Sequence, residues 1–193
     1  MATNALREAL AERDDLRPLP REAIRLLSAL NAPPRLAAHL RVVHHAAWEL
    51  TDGLKQRFPQ LAYDRDAVLF GAAIHDVGKT IHVGELSGPG NAHERAGYEL
   101  LLQQGVTEDL ARFARTHSAW TDPTCTLEDL LVSLADKIWK AKRAEDLEQL
   151  VLEQIVASHG GSAWEAFMSF DDLLQQIAAN ADRRLAFQAA FPV

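Results

Sequence analysis

Residues 67–79 read AVLFGAAIHDVGK, an apolar run of mostly small side chains that ends on His75 and Asp76. Asp64 or Asp66 can cap a helix ahead of it, and Gly78 is placed to stop one. The run therefore reads as a buried helix through Val77. That leaves an imidazole and a carboxylate at the end of an apolar element, which is costly unless both find a strong partner. A divalent cation is one such partner. Neighbouring helical residues point about 100° apart, yet two of them at a helix end still converge on one ion. A hydrogen bond between Asp76 and His75 near a helix C-terminus is the plainer alternative, and the rest of the chain has to decide between them.

Outward from this stretch the chain keeps the same character. Ala and Leu are abundant, Val and Ile are sparse, and apolar residues recur at steps of three and four. Residues 21–30 (REAIRLLSAL) read as a short helix, ended by Asn31 and the Pro33-Pro34 pair, and Pro34 also opens the next helix. Leu36, Leu40, Val43, Ala47, Leu50 and Leu54 form the stripe of that helix, with fraying expected at Gly53 and Pro59. Residues 80–92 hold turn-formers without a period and read as a loop. Further helices are expected from Asn91, and from Thr107 through residue 117. After a loop with Pro123, Thr126 and Asp129 make a capping box for a helix over 127–143, apolar nearly all round until Lys140. Two or three amphipathic helices follow, parted at Gly160-Gly161. With no hairpin signal, βαβ unit or internal repeat, the pattern predicts an all-α, compact helical bundle.

The 193 residues are 48% hydrophobic, enough for a sizeable core in one domain with a short appendage. A net charge of −7 argues against non-specific nucleic-acid binding, which relies on Lys and Arg neutralising phosphates. A small phosphorylated ligand needs only a few local cations. Cys125 is the lone cysteine, so neither an intramolecular disulfide nor a thiolate cage for zinc is available, and a reducing compartment is expected. The opening MATNALREALAERDDLRPLP carries acids and bases throughout, and no run approaches the ~20 apolar residues of a membrane span. The expected location is the cytoplasm, with no membrane partner.

Four more positions carry groups of the same chemistry. His39 lies one turn before Val43 on the apolar face of its helix. His44 and His45 compete for the same role but sit at the margin of the stripe or off it, which favours His39. Asp136, in SLADKIWK, has Val132, Ala135 and Trp139 around it, and a buried Asp needs a cation; Lys137 and Lys140 are the local alternatives. His93 falls in the first turn of the helix that Asn91 caps, with Glu94 as the capping acid or as a partner orienting a ligand histidine. Gly97, one turn on, suggests close approach of another helix. His117 closes its helix, where the C-terminus also favours a cationic imidazole.

In chain order these are His39, His75-Asp76, His93, His117 and Asp136. The order H…HD…H…H…D, centred on HDVGK, resembles the HD-domain superfamily of metal-dependent phosphohydrolases. HLRVVHHAAWEL is similar to that family's first-histidine helix with His39 in the ligand place, AHERAG to its HE-x-x-G stretch, and SLADKIWKAKR to its closing helix. The resemblance implies a metal-binding core over residues 35–145, with an N-terminal helical extension over 1–34 and C-terminal helices over 146–193 packed on that core. It implies one or two divalent transition metal ions: His39, His75, Asp76 and Asp136 around the first, His93 and His117 around the second, and Asp76 as the bridge. A donor set of nitrogen and oxygen suits Mn, Fe, Co, Ni or Zn.

The implied activity is that of a phosphomonoesterase or phosphodiesterase acting on a nucleotide or related small phosphate ester. The nucleophile is a hydroxide from metal-bound water, whose pKa falls to about 7. Asp76 and Lys79 are the expected catalytic residues, with Lys79 ahead of Arg95, Arg112, Lys140 and Arg143 as the cation for the substrate phosphate. His82 falls at the mouth of the expected pocket, and His159 beside two glycines caps a helix. The HHExxDGxGYP string of HD-type cyclic-di-GMP phosphodiesterases is absent. Two other classes accommodate the same residues: a mixed-valent diiron oxygenase of HD type, and a non-catalytic metal-binding regulatory module. A homodimer is compatible with all three.

Overall fold

Capping residues set where several of the helices begin. The computed structural model describes residues 3–193, with His159 by its backbone alone. Helix α1 (Asn4–Leu10) starts at Thr3, whose hydroxyl accepts from Leu6 N at 3.1 Å. Helix α2 (Arg21–Ala29) stops ahead of Asn31, which takes a left-handed φ of 48° that asparagine tolerates. Helix α3 (Pro34–Arg57) opens on Pro34, where the missing N–H leaves no bond unmade. Helix α4 (Arg65–Ile74) is capped by Asp64, which accepts from Ala67 N at 3.0 Å. Two 3-10 turns, Val77–Thr80 and Val83–Leu86, lead into α5 (Ala92–Gln103). The single turns α6 (Glu108–Ala111) and α7 (Phe113–Thr116) are parted at Arg112. The Thr126/Asp129 capping box opens α8 (Leu127–Ile138). Then come α9 (Glu145–His159), ended by Gly160 at φ 65°, α10 (Ala163–Ala178) and α11 (Ala181–Ala189). Among the described residues there is no β-strand, and no helix is long and apolar enough to cross a membrane. The architecture is the all-α one that the apolar spacing predicts.

Local boundaries differ from those the spacing suggests, each for a packing reason. Helix α4 ends at Ile74, not Val77, so His75 is its C-cap and Asp76 opens a 3-10 turn. Gly78 does not stop the helix. It lets α5 come close, because a Cβ there would run into the backbone of His93 and Gly97. Gly53 does not fray α3, which continues to Arg57; it makes room for Leu173 of α10. Helix α8 ends at Ile138, and Ala141 adopts a left-handed φ of 57°.

Helix α3 lies at the centre. Every residue of its expected stripe is fully buried, and so are Ala37, Ala38, Val42 and Ala46 on the flanks. Helices α4 and α8 pack on α3 and on each other, while α1, α10 and α11 cover its remaining faces. Each buried leucine contributes about 1.5–3 kcal/mol, so this three-helix seam is the rigid base of the molecule. Two buried arginines fasten the chain ends to it. Arg41 of α3 donates to Ala9 O at 3.1 Å and also to Ala11 O, carbonyls that the end of α1 leaves without helical partners. Arg184 of α11 donates to Ile177 O at 2.7 Å and pairs with Glu49 of α3.

His44 is buried on α3, and burial, reinforced by the charges of His45 and Arg41, pushes its pKa down to about 4. The unfolded value is about 6.5, so below it the unfolded chain binds the proton while the folded one does not. Stability therefore falls as pH drops from about 6.5 towards about 4. His44→Leu is expected to lose less of its thermal midpoint than the wild type when both are moved from about pH 7 to about pH 4.5. Equal losses in the two proteins would remove His44 from the account.

Candidate metal centre

Six elements each deliver one polar side chain to a single point. Helix α3 brings His39, and the C-cap of α4 brings His75. Asp76 opens the following 3-10 turn. His93 comes from the first turn of α5, His117 from the C-cap of α7, and Asp136 from α8. The tightening of the backbone after Ile74 turns His75 and Asp76 towards one centre, and the Gly78–Gly97 approach brings α5 near enough for His93 to meet Asp76. All six lie buried or nearly so. They fall into two groups, His39–His75–Asp136 and Asp76–His93–His117, in each of which the donor atoms lie within 4.8 Å of one another.

Asp76 stands between the groups. Its Oδ2 is 3.2 Å from His39 Nε2 and 3.7 Å from His75 Nε2. Its Oδ1 is 3.0 Å from His93 Nε2 and 3.6 Å from His117 Nε2. Asp136 Oδ1 adds a second carboxylate oxygen at 3.5 Å from His39 and 3.6 Å from His75.

The outer side of each ring fixes what its inner nitrogen is. His75 Nδ1 donates to Ala72 O at 3.1 Å, and His117 Nδ1 donates to Ala114 O at 3.2 Å and Phe113 O at 3.3 Å. His93 Nδ1 donates to Glu85 Oε2 at 2.5 Å, and His39 Nδ1 to Gln188 Oε1 at 3.1 Å. An Nδ1–H held outward leaves Nε2 as a bare acceptor in the neutral ring. The Nε2 atoms of His39, His75 and His93 and the Oδ1 of Asp76 are all buried without a hydrogen bond, although carboxylate oxygens lie close by. Where the rings are neutral, lone pairs of nitrogen face lone pairs of oxygen, which is tenable only with a proton or a metal ion between them. The donor set therefore fits divalent metal ions.

Electrostatics agree. Burial alone would raise the carboxyls of Asp76 and Asp136, but the imidazoles of His75 and His39, with His93 beside Asp76 and Lys137 beside Asp136, hold both well below the usual carboxylate range. Burial pushes His117 down to about 4, the neighbouring His75 adding to it, so the ring is neutral at pH 7 and able to ligate. Burial also works against the charged form of His93, but Asp76 and Glu85 outweigh it and raise its pKa. A proton and a metal ion thus compete for His93.

Two lysines stand at the carboxylates. Lys79 Nζ is 2.6 Å from Asp76 Oδ2, and Lys137 Nζ is 2.9 Å from Asp136 Oδ2. Lys137 also lies over the Trp120 ring, 5.4 Å from its centroid. Of the other cations, Arg95 pairs with Glu99, Arg112 with Asp129, and Arg143 with Glu148 and Asp171; Lys140 lies by Trp139. His44 and His45 stay outside the cluster, His44 lining a separate cavity and His45 beside Glu49.

The sequence reading missed Glu85. It assigned the capping and orienting role to Glu94, whose carboxylate instead accepts from Ser118. Glu85, from the 3-10 turn inside the expected loop, accepts from Ala92 N at 3.2 Å and His93 N at 3.1 Å as well as from the His93 ring. It caps α5 and orients His93 at once. No local pattern marks it, because the eight-residue separation suits neither a helix face nor a capping box. Lys137, read only as a local partner of Asp136, is the other addition.

A family model described as HD domain matches residues 35–140, more than half of the 193-residue chain. No curated protein and no solved structure matches it.

Glu85→Ala is expected to weaken divalent-ion binding about 10- to 100-fold by calorimetry, as loss of an outer-shell partner does, whereas Glu94→Ala leaves it unchanged. A larger effect at Glu94 would show that the His93 ring is oriented from elsewhere.

Proposed function

This chain belongs to the HD domain family, a superfamily of metal-dependent hydrolases, and from that membership we propose that it hydrolyses a phosphate ester of a nucleotide or related small molecule at a two-ion centre. The observation that carries the reading is Asp76, whose two oxygens each face a different pair of histidine Nε2 atoms. His39, His75 and Asp136 would hold one ion and His93 and His117 the other, with Asp76 shared. Bound there, divalent ions supply Lewis acidity that lowers the pKa of water to about 7 and neutralises phosphoryl oxygens.

The chain's own residues do the rest. The outward Nδ1–H bonds hold the four imidazoles with Nε2 turned to the centre. Lys79 reaches from the buried Asp76 carboxylate towards solvent, with its side chain 18% exposed. Its ammonium is the point charge for a substrate phosphate oxygen, and Lys137 is a second one on the opposite carboxylate. In a chain of net charge −7, these local cations are what an anionic substrate would meet. The reading involves no membrane and no non-specific nucleic-acid partner.

The test is metal analysis of the purified protein, then a screen of nucleotides and a generic aryl phosphate with Mn, Co or Fe supplied. Metal-dependent phosphate release is expected, and chelation abolishes it. Asp76→Ala and His75→Ala are expected to lose more than about 100-fold in activity, since even outer-shell changes cost up to that. Lys79→Ala is expected to lose about 10- to 100-fold in kcat/KM, the worth of one charge-assisted hydrogen bond. Unchanged activity in His75→Ala would sink the proposal. Bound iron with a mixed-valent paramagnetic signal and no phosphate release would replace it with the oxygenase reading.

A further inference from the structure

The acceptor behind each inward-facing histidine comes from a different distance along the chain. For His75 and His117 it is a carbonyl three or four residues back, and for His93 it is Glu85, eight residues back. For His39 it is Gln188 Oε1 at 3.1 Å, 149 residues away on α11. That helix lies beyond residues 35–140, the span of the family match.

We propose that Gln188 is a positioning residue of the metal centre: its amide oxygen holds the Nδ1–H of His39, leaving Nε2 bare for an ion, so that α11 belongs functionally to the site. The inference rests on the metal reading above. Its support is the way α11 is fastened to α3, the helix that carries His39. On one side of Gln188, the buried Arg184 donates to Ile177 O at 2.7 Å and pairs with Glu49 of α3. On the other, Arg35, one turn before His39, donates through Nε to Phe191 O at 2.9 Å and through Nη2 to Ala189 O at 3.4 Å. Arg35 N also donates to Pro192 O at 3.0 Å. The chain on both sides of Gln188 is therefore tied to the helix whose histidine it touches.

The His39 ring is also packed by Trp139, in edge contact at 5.3 Å between centroids. With Trp139 setting the plane of the ring, the Gln188 bond determines which nitrogen carries the proton. A His39 that carried its proton on Nε2 would point it at Asp76 Oδ2, 3.2 Å away, and block the ion's place. The carbonyl acceptors behind His75 and His117 belong to the helix backbone and no side-chain substitution removes them. Gln188 is a side chain, so this hold on the site can be tested alone.

Three proteins are compared: wild type, Gln188→Leu and Gln188→Glu. With Zn2+ bound, nitrogen NMR of the His39 ring is expected to show a hydrogen-bonded Nδ1–H in the wild type and in Gln188→Glu, and loss of that bond in Gln188→Leu. Calorimetry with Mn2+ is expected to show affinity weakened about 10- to 100-fold in Gln188→Leu and restored in Gln188→Glu, whose carboxylate is an obligate acceptor. Leucine keeps the half-buried packing of Gln188, so the metal-free thermal midpoint is expected to stay near that of the wild type. Affinity of Gln188→Leu within about twofold of wild type, or Gln188→Glu as weak as Gln188→Leu, overturns the proposal and leaves the metal reading standing. A wild type that takes up no divalent ion overturns both.

Discussion

A carboxylate with both oxygens buried has to be neutralised from both sides, and at Asp76 this requirement organises the molecule. Oδ2 faces His39 and His75, and Oδ1 faces His93 and His117. Stripping a carboxylate of water costs several kcal/mol, so the helices that bring the imidazoles must be held together by something stronger than the site itself. The largely apolar seam between α3, α4 and α8 does this. The site then occupies one end of that seam, where α4 gives out and the backbone tightens into a 3-10 turn.

The second group depends on a different device. His93 reaches Asp76 only because α5 approaches the turn at Gly78 more closely than any side chain would allow, with Gly97 on the facing side. Glu85 then serves two needs with one carboxylate, capping the exposed N–H groups of α5 and holding the His93 ring. The first group is supported differently: His75 leans on its own helix, and His39 leans on α11. Each group thus combines one histidine held by its own helix with one held from farther along the chain, by Glu85 or by Gln188.

The neutral state of His117 comes chiefly from burial, and the charged state of Asp76 and Asp136 from the imidazoles around them. Lys79 and Lys137, each bonded to one of the two carboxylates, place positive charge between the centre and solvent in an otherwise acidic chain.

The helical fold was legible because the apolar spacing of α3 and α8, the cap at Asp64 and the capping box at Thr126 are local signals, each contained within about a turn or two of chain. The six polar residues were legible for a related reason: a carboxylate or imidazole on an apolar stripe is a cost that shows in the pattern itself. What the pattern left open is where the helices end and who stands behind each ligand. Gly53 and Gly78 look alike as breakers in a sequence, and only the neighbouring Leu173 and α5 backbone make them sites of close approach. Glu85 and Gln188 carry no periodic mark, because their partners lie eight and 149 residues away. Sequence alone determined the kind of chemistry this chain carries, through the unfavourable burial it accepts. Tertiary structure alone decided how the charges are shared and held, because hydrogen bonds between distant segments exist only once the core has packed.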